Sequence, residues 1–156
     1  DITFLSDIVD RLLDLRMYYD EYRPILLKVS PDLSHEQLDE IIDYCLRSGI
    51  DGLVAGNTTR SRDGITSISK EKIEEIGNGG LSGAPLHKKN LELVRYVHAK
   101  SEGKLPIIGV GGIMTPQQAK DMLDAGASLV EIYSGFIYEG PGLIKKILKY
   151  LEQGIK

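Results

Sequence analysis

The sequence predicts an α/β protein built from parallel β/α units. Two short apolar runs rich in Ile and Val, residues 106–113 and 129–135, each break into glycine. The segment between them, residues 115–125, has the pattern of one helix, and strand, helix, strand in that order implies parallel pairing. Glycine at a strand end lets backbone N–H groups approach an anion with no side chain in the way. The loops at Gly111 and Gly112 and at Ser134 and Gly135 therefore point to a phosphorylated ligand.

The same alternation runs through the whole chain. Residues 5–22 place Leu5, Ile8, Val9, Leu12, Leu13 and Leu15 or Arg16 on one face of an amphipathic helix, which Arg23 and Pro24 break. Residues 25–30 follow as a strand that is apolar except for Lys28 and stops at Pro31. Ser34 with Gln37 fits a capping box, and Leu38, Ile41, Ile42, Cys45 and Leu46 then repeat at helical spacing until Gly49. Residues 52–57 are the next strand. The polar stretch 58–85 after it carries a short helix at 70–76, and a connection that long is usually functional.

Residues 88–99 form a helix through Leu91, Val94, Tyr96 and Val97, leading to the strand at Pro106. Thr115, Pro116 and Gln118 repeat the capping logic, with proline at the first helical position. The strand 129–134 and a closing helix 141–153, with Leu143, Ile144, Ile147, Leu148 and Leu151 inward, complete the series. There is also an internal echo: residues 49–54 and 126–130 each join a helix end to a strand start through a short glycine turn. Repeating β/α units fit either a doubly wound open sheet or a barrel of eight such units. Four strands are half a barrel, and 156 residues fall short of the roughly 250 of a complete one.

Composition bounds the function. The chain has the length of one domain and an ordinary balance of 42% hydrophobic and 27% charged residues, which argues against disorder and against a membrane span. A net charge of −4 with no basic cluster argues against nucleic acid as a partner. The single cysteine, Cys45, allows no internal disulfide and gives no metal-ligand spacing. The chain opens at Asp1 and its first twenty residues read as neither a secretory signal nor a transit peptide, so sequence upstream is expected.

Five ordered motifs then narrow the reading. They are Lys28 to Leu33 (KVSPDL), Asn57-Thr58-Thr59, Gly79 to Leu86 (GGLSGAPL), the Gly109 to Ile113 segment and the Ile132 to Phe136 segment. In this order they resemble dihydroorotate dehydrogenase over essentially the whole chain, and most of all its membrane-associated, quinone-reducing class. The resemblance implies an FMN-dependent (β/α)8 barrel that oxidises dihydroorotate to orotate in de novo pyrimidine biosynthesis, with this chain as the C-terminal half of the barrel and a single FMN-binding unit over residues 1–156. Quinone is the implied electron acceptor. The implied location of the parent protein is peripheral to a membrane, either the cytoplasmic face of an inner membrane or the mitochondrial inner membrane.

The resemblance also assigns residues. Lys28 reaches the flavin pyrimidine edge, where a positive charge offsets the negative charge that builds during hydride acceptance. By itself, a lysine at a strand end can also simply snorkel. Asn57 and Thr58 hydrogen-bond the substrate ring, since a carboxamide offers donor and acceptor together, although spacing alone favours a turn-forming role for them. Gly56 presents backbone to the flavin. Gly83 and Gly112 bring main-chain N–H groups to the phosphate and ribityl region, and Tyr133 and Ser134 complete the phosphate cup, where barrels commonly bind phosphate. Each glycine taken singly reads as a turn.

Other candidates take structural roles. His35, His87 and His98 are scattered, Asp32 reads as a helix-entry residue, Glu71, Glu74 and Glu75 as a solvated face, and Arg60 and Arg62 as surface charge. No residue matches the family's catalytic base, so the base is expected in the absent N-terminal half and the chain alone is expected to be inactive. Ser82, Ser134 and Cys45 are not candidates for it. The open edges of a half barrel call for a partner, either that missing half or a second copy. The alternatives left by the residues are another phosphate-binding barrel enzyme and a non-catalytic anion-binding module.

Overall fold

The computed structural model describes residues 2–63 and 65–154. Four strands, β1 (Leu26–Val29), β2 (Gly52–Ala55), β3 (Ile107–Val110) and β4 (Leu129–Glu131), form one parallel sheet in the order β1-β2-β3-β4. Strand order equal to chain order is the winding of a β/α barrel. A doubly wound sheet reverses its order at a switch point, so the open-sheet alternative is excluded.

The helices cover one face of the sheet: α1 (Ile2–Arg16), α2 (His35–Ser48), α4 (His87–Lys100), α5 (Pro116–Asp124) and α7 (Gly142–Gln153). Leu53, Ala55 and Ile107 are completely buried against them with Ile42, Val94, Val97 and Met122. The other face carries the alternate residues. Lys28, Val54, Ile108 and Leu129 share one register row there, and Val110 with Glu131 forms the next row toward the strand ends. Leu129 is 62% exposed, because nothing among the described residues covers this concave side.

Local sequence explains where the elements start and stop. Both capping boxes form, Ser34 with Gln37 and Thr115 with Gln118. Gly49 ends α2 in the left-handed region at φ +80°. The internal echo is structural too: Asp51 N–H donates to Ile25 and Ser128 N–H to Ile107, so each glycine turn starts its strand with the same type of bond. The expected short helix is α3 (Lys70–Ile76), and a bridge between Thr59 and Leu81 closes the base of the long connection.

Several expectations need correction. The first helix stops at Arg16, not residue 22. Its last turn tightens through Met17 N–H to Asp14 and Tyr18 N–H to Leu15, and Arg16 and Tyr22 then both reach the Asp51 carboxylate, which also accepts from Ile25 N–H. Only Val9 of that helix is buried, with Leu5 and Leu13 partly so, while Ile8, Leu12 and Leu15 are exposed. Leu46, Ile144 and Leu148 also face solvent rather than the core. The strand at 129–134 is shorter than expected, and Ser134 instead begins an additional helix, α6 (Ser134–Glu139). A 3-10 turn (Ala84–Leu86) precedes α4, which starts at His87 rather than Lys88.

Candidate functional site at the carboxyl ends of the strands

Every strand of the sheet sends residues to one cavity of about 110 Å³ at the carboxyl edge. Lys28 of β1, Gly56, Asn57 and Thr58 after β2, Gly83 from the long connection, Gly112 after β3, and Tyr133 and Ser134 after β4 all line it. These are the eight residues singled out in the sequence, gathered from segments far apart in the chain. Ser82, Leu86, Val110, Gly111, Ile113 and Glu131 complete the wall.

The turns that make this wall depend on glycine in a specific way. Gly112 has φ +71°, and a Cβ there would lie 2.3 Å from the His87 backbone nitrogen, so the loop after β3 packs directly on the start of α4. Gly83, at φ +83°, faces the other way: its Cβ would project into the gap before Ser134, 3.9 Å from the hydroxyl oxygen. Asn57 caps its own turn, its side-chain oxygen accepting from Thr58 N–H at 2.9 Å. The turn-forming role and the cavity position thus coexist in one residue.

The long connection is held beside the cavity by Asp32. Its carboxylate accepts from the Thr59 hydroxyl at 2.5 Å, the Arg60 N–H at 2.8 Å and the Lys89 ammonium at 2.5 Å. Partial burial would raise the Asp32 carboxyl, but those donors outweigh it and hold it down to about 2. The helix-entry role expected of Asp32 is therefore too small, since its partners lie in distant segments. Arg62 is likewise not loose surface charge: it is half-buried and donates to the Gly77 carbonyl at 3.2 Å and to that of Gly79.

Glu131 is the charged residue of the cavity wall that sequence reasoning missed. It is the one carboxylate of the cavity wall among the described residues, and two-residue alternation with Tyr133 in the expected strand 129–134 was the available signal. Its strand, β4, is separated from β2 by β3. Cys45 is buried in the helical layer, where desolvation pushes its thiol up to about 11. Burial also lowers the His87 imidazole, against the opposing pull of Asp121 at 3.8 Å. His35 stacks on Tyr96, and His98 packs over Gly126. A wider depression of about 660 Å³ lies beneath the long connection, among Arg60, Arg62, Ile73, Glu74, Gly77 and Asn78. Its lining comes from the connection after β2 alone.

A singly wound parallel sheet, helices on its outer face and a site at the carboxyl ends of its strands together define a β/α-barrel protein. The sequence profile described as dihydroorotate dehydrogenase matches residues 6–155. The chain belongs to the dihydroorotate dehydrogenase family. It is 47% identical over 97% of its length to the dihydroorotate dehydrogenase (quinone) of Christiangramia forsetii, and 44% identical over 94% to that of Edwardsiella ictaluri. It spans 43% of each of those relatives. Two crystal structures of DHODH from Eimeria tenella superpose on it. The ligand-free form matches at 37% identity and TM-score 0.74, covering 83% of this chain and 35% of that one. The form in complex with ferulenol matches at 34% and 0.76, covering 86% and 35%. Those neighbours are (β/α)8 barrels, so the parallel β/α fold expected from the sequence is the fold of this chain. No helix among the described residues is long and apolar enough to cross a membrane.

Proposed function

We propose that the chain is the C-terminal half of an FMN-binding barrel that oxidises dihydroorotate to orotate, passing electrons to a quinone, as a step of pyrimidine biosynthesis. The observation that carries this reading is the convergence of Lys28, Gly56, Asn57, Thr58, Gly83, Gly112, Tyr133 and Ser134 on one cavity. The names of the relatives support the quinone as acceptor, and with it a membrane-peripheral parent protein at an inner membrane.

The residues present fit FMN. Glycine at residue 83 leaves free the space that a Cβ would take beside Ser134, 3.9 Å from its hydroxyl oxygen. The enclosed volume of about 110 Å³ suits the phosphate end of the ligand, whereas complete cofactor sites run to about 300–1,000 Å³. Residues of the open concave face would meet the rest of the cofactor. Gly83, Gly112, Tyr133 and Ser134 would hold the phosphate end, Gly56 would present backbone to the ring, and Lys28 would set a positive charge at the pyrimidine edge. When bound, FMN supplies hydride acceptance.

Asn57 and Thr58 orient the substrate ring through their amide and hydroxyl groups. Proton removal from the substrate falls to a base outside residues 1–156. Glu131 ends β4, the strand that leads into Tyr133 and Ser134, and Ser82 and Ser134 belong to the cofactor loops of this reading. The chain by itself is therefore inactive in this reading, and the remaining barrel strands close its open edges. Titrating FMN into the polypeptide that carries residues 1–156 is expected to quench flavin fluorescence to saturation, and dihydroorotate with a quinone is expected to give orotate once the rest of the barrel is present. No flavin binding would overturn the reading, and turnover by residues 1–156 alone would overturn the placement of the base.

A further inference from the structure

We propose that Asn90 is a positioning residue for the flavin site: its buried carboxamide is a strut that fixes the substrate arm at Gly56 against the phosphate arm at Gly111 and Gly112. The inference rests on the reading of the cavity given above and deepens it. Asn90 belongs to α4 and is completely buried, on the same inward face as Leu93, Val94 and Val97. An amide among three aliphatic side chains needs a reason, because a buried polar group is costly unless it is hydrogen-bonded.

The reason is a single carbonyl. Asn90 Nδ2 donates to the Val110 carbonyl at 2.7 Å, and the same oxygen accepts from Gly56 N–H at 3.1 Å. Val110 is the last residue of β3, so this oxygen joins the end of β3, the end of β2 and α4. The chain turns immediately beyond it, through Gly111 at φ +107° and Gly112 at φ +71°, into the cavity wall.

The amide also fills the space that both glycines leave. A Cβ on Gly111 would lie 2.1 Å from Asn90 Nδ2, and a Cβ on Gly56 would lie 3.1 Å from Asn90 Oδ1. The side chain is thus wedged beneath the two arms, touching each and bonded to the carbonyl between them. Its Oδ1 has no hydrogen-bond partner among the described residues. A leucine would fill the volume without burying an unpaired acceptor, so packing alone does not account for the amide, whereas the bond to Val110 does.

The test uses Asn90→Leu, which keeps the volume and removes the donor, and Asn90→Ala as a second variant, both in the polypeptide that carries residues 1–156. Three quantities are read: FMN affinity by fluorescence quenching, thermal unfolding without FMN, and amide hydrogen exchange without FMN. The expected result for Asn90→Leu is about tenfold weaker FMN binding with the unfolding midpoint nearly unchanged. Faster exchange confined to residues 56–58 and 110–113 is expected with it. Unchanged FMN affinity in both variants would overturn the proposal. So would exchange that rises equally along α4, which is the mark of a residue that only packs. If the unsubstituted protein binds no FMN, the functional reading has failed, and the exchange pattern in the free protein still decides whether Asn90 holds the two arms.

Discussion

Gly112 has no room for a side chain. Its φ of +71° and the 2.3 Å approach of a built Cβ to the His87 backbone nitrogen leave no flexible side chain to move aside. Gly112→Ala is expected to cost about 2 kcal/mol or more of stability and to abolish FMN binding, read by urea unfolding and by titration. Glu131 puts a carboxylate on the same cavity wall. Its negative charge on the wall of a cavity proposed to take a phosphate opposes binding, so Glu131→Gln is expected to bind FMN more tightly, with the difference shrinking in high salt. Equal affinity of both forms at low salt would refute that role. Asp32 gives a pH dependence with a definite sign. Its folded carboxyl lies at about 2, below its ordinary 3.8, so its contribution to stability is complete above pH 4 and is lost as pH falls toward 2. Urea unfolding between pH 5 and 2 should therefore fall more steeply for the unsubstituted protein than for Asp32→Asn, by on the order of 1–2 kcal/mol once solvent screening is allowed for. Parallel curves would show that the carboxylate does not carry the tether. The eight cavity residues were legible in the sequence because each sits in a short local motif. Asp32 and Asn90 were not, since what defines each is a partner from another segment: Thr59 lies 27 residues from Asp32, and the Val110 carbonyl 20 residues from Asn90. Glu131 is marked only by the loops that surround it in space.

At the scale of the element, the helix starts were the most legible feature, because a cap is a local event. Ser34 with Gln37 and Thr115 with Gln118 each satisfy backbone N–H groups that a helix start leaves free. The second box also serves the site. Gln118 Oε1 accepts from Met114 N–H at 2.8 Å and Thr115 N–H at 3.1 Å, which anchors the chain just beyond the Gly111 and Gly112 turn. Thr115→Ala is expected to cost about 1 kcal/mol, a drop of roughly 2–4 °C in Tm, and Gln118→Ala is expected to weaken FMN binding as well. Helix ends and strand ends were less legible. The first helix stops where Arg16 and Tyr22 find Asp51, a tertiary contact that periodicity does not encode, and the strand at Leu129 gives way to α6 at Ser134 with no capping residue to announce it.

At the scale of the whole molecule, the exposed area is the informative quantity. A compact monomer of 17.2 kDa has an accessible surface of about 7,800 Å², whereas this chain exposes 10124 Å². The excess of about 2,300 Å² is what a substantial interface buries. It belongs with an uncovered concave face bearing Leu26, Val54, Ile108 and Leu129, with β1 and β4 as unpaired edges, and with the exposed Ile8, Leu12 and Leu15 of α1. Exposed apolar surface beside open strand edges drives association. Residues 1–156 expressed alone are therefore expected to self-associate, and Leu129→Glu is expected to weaken that association by placing a charge on the concave face. Co-expression with the remaining strands of the barrel should instead yield a 1:1 complex that binds FMN more tightly than residues 1–156 alone. Sedimentation velocity distinguishes the outcomes: a folded monomer of 17.2 kDa at micromolar concentration would show that the concave face needs no cover.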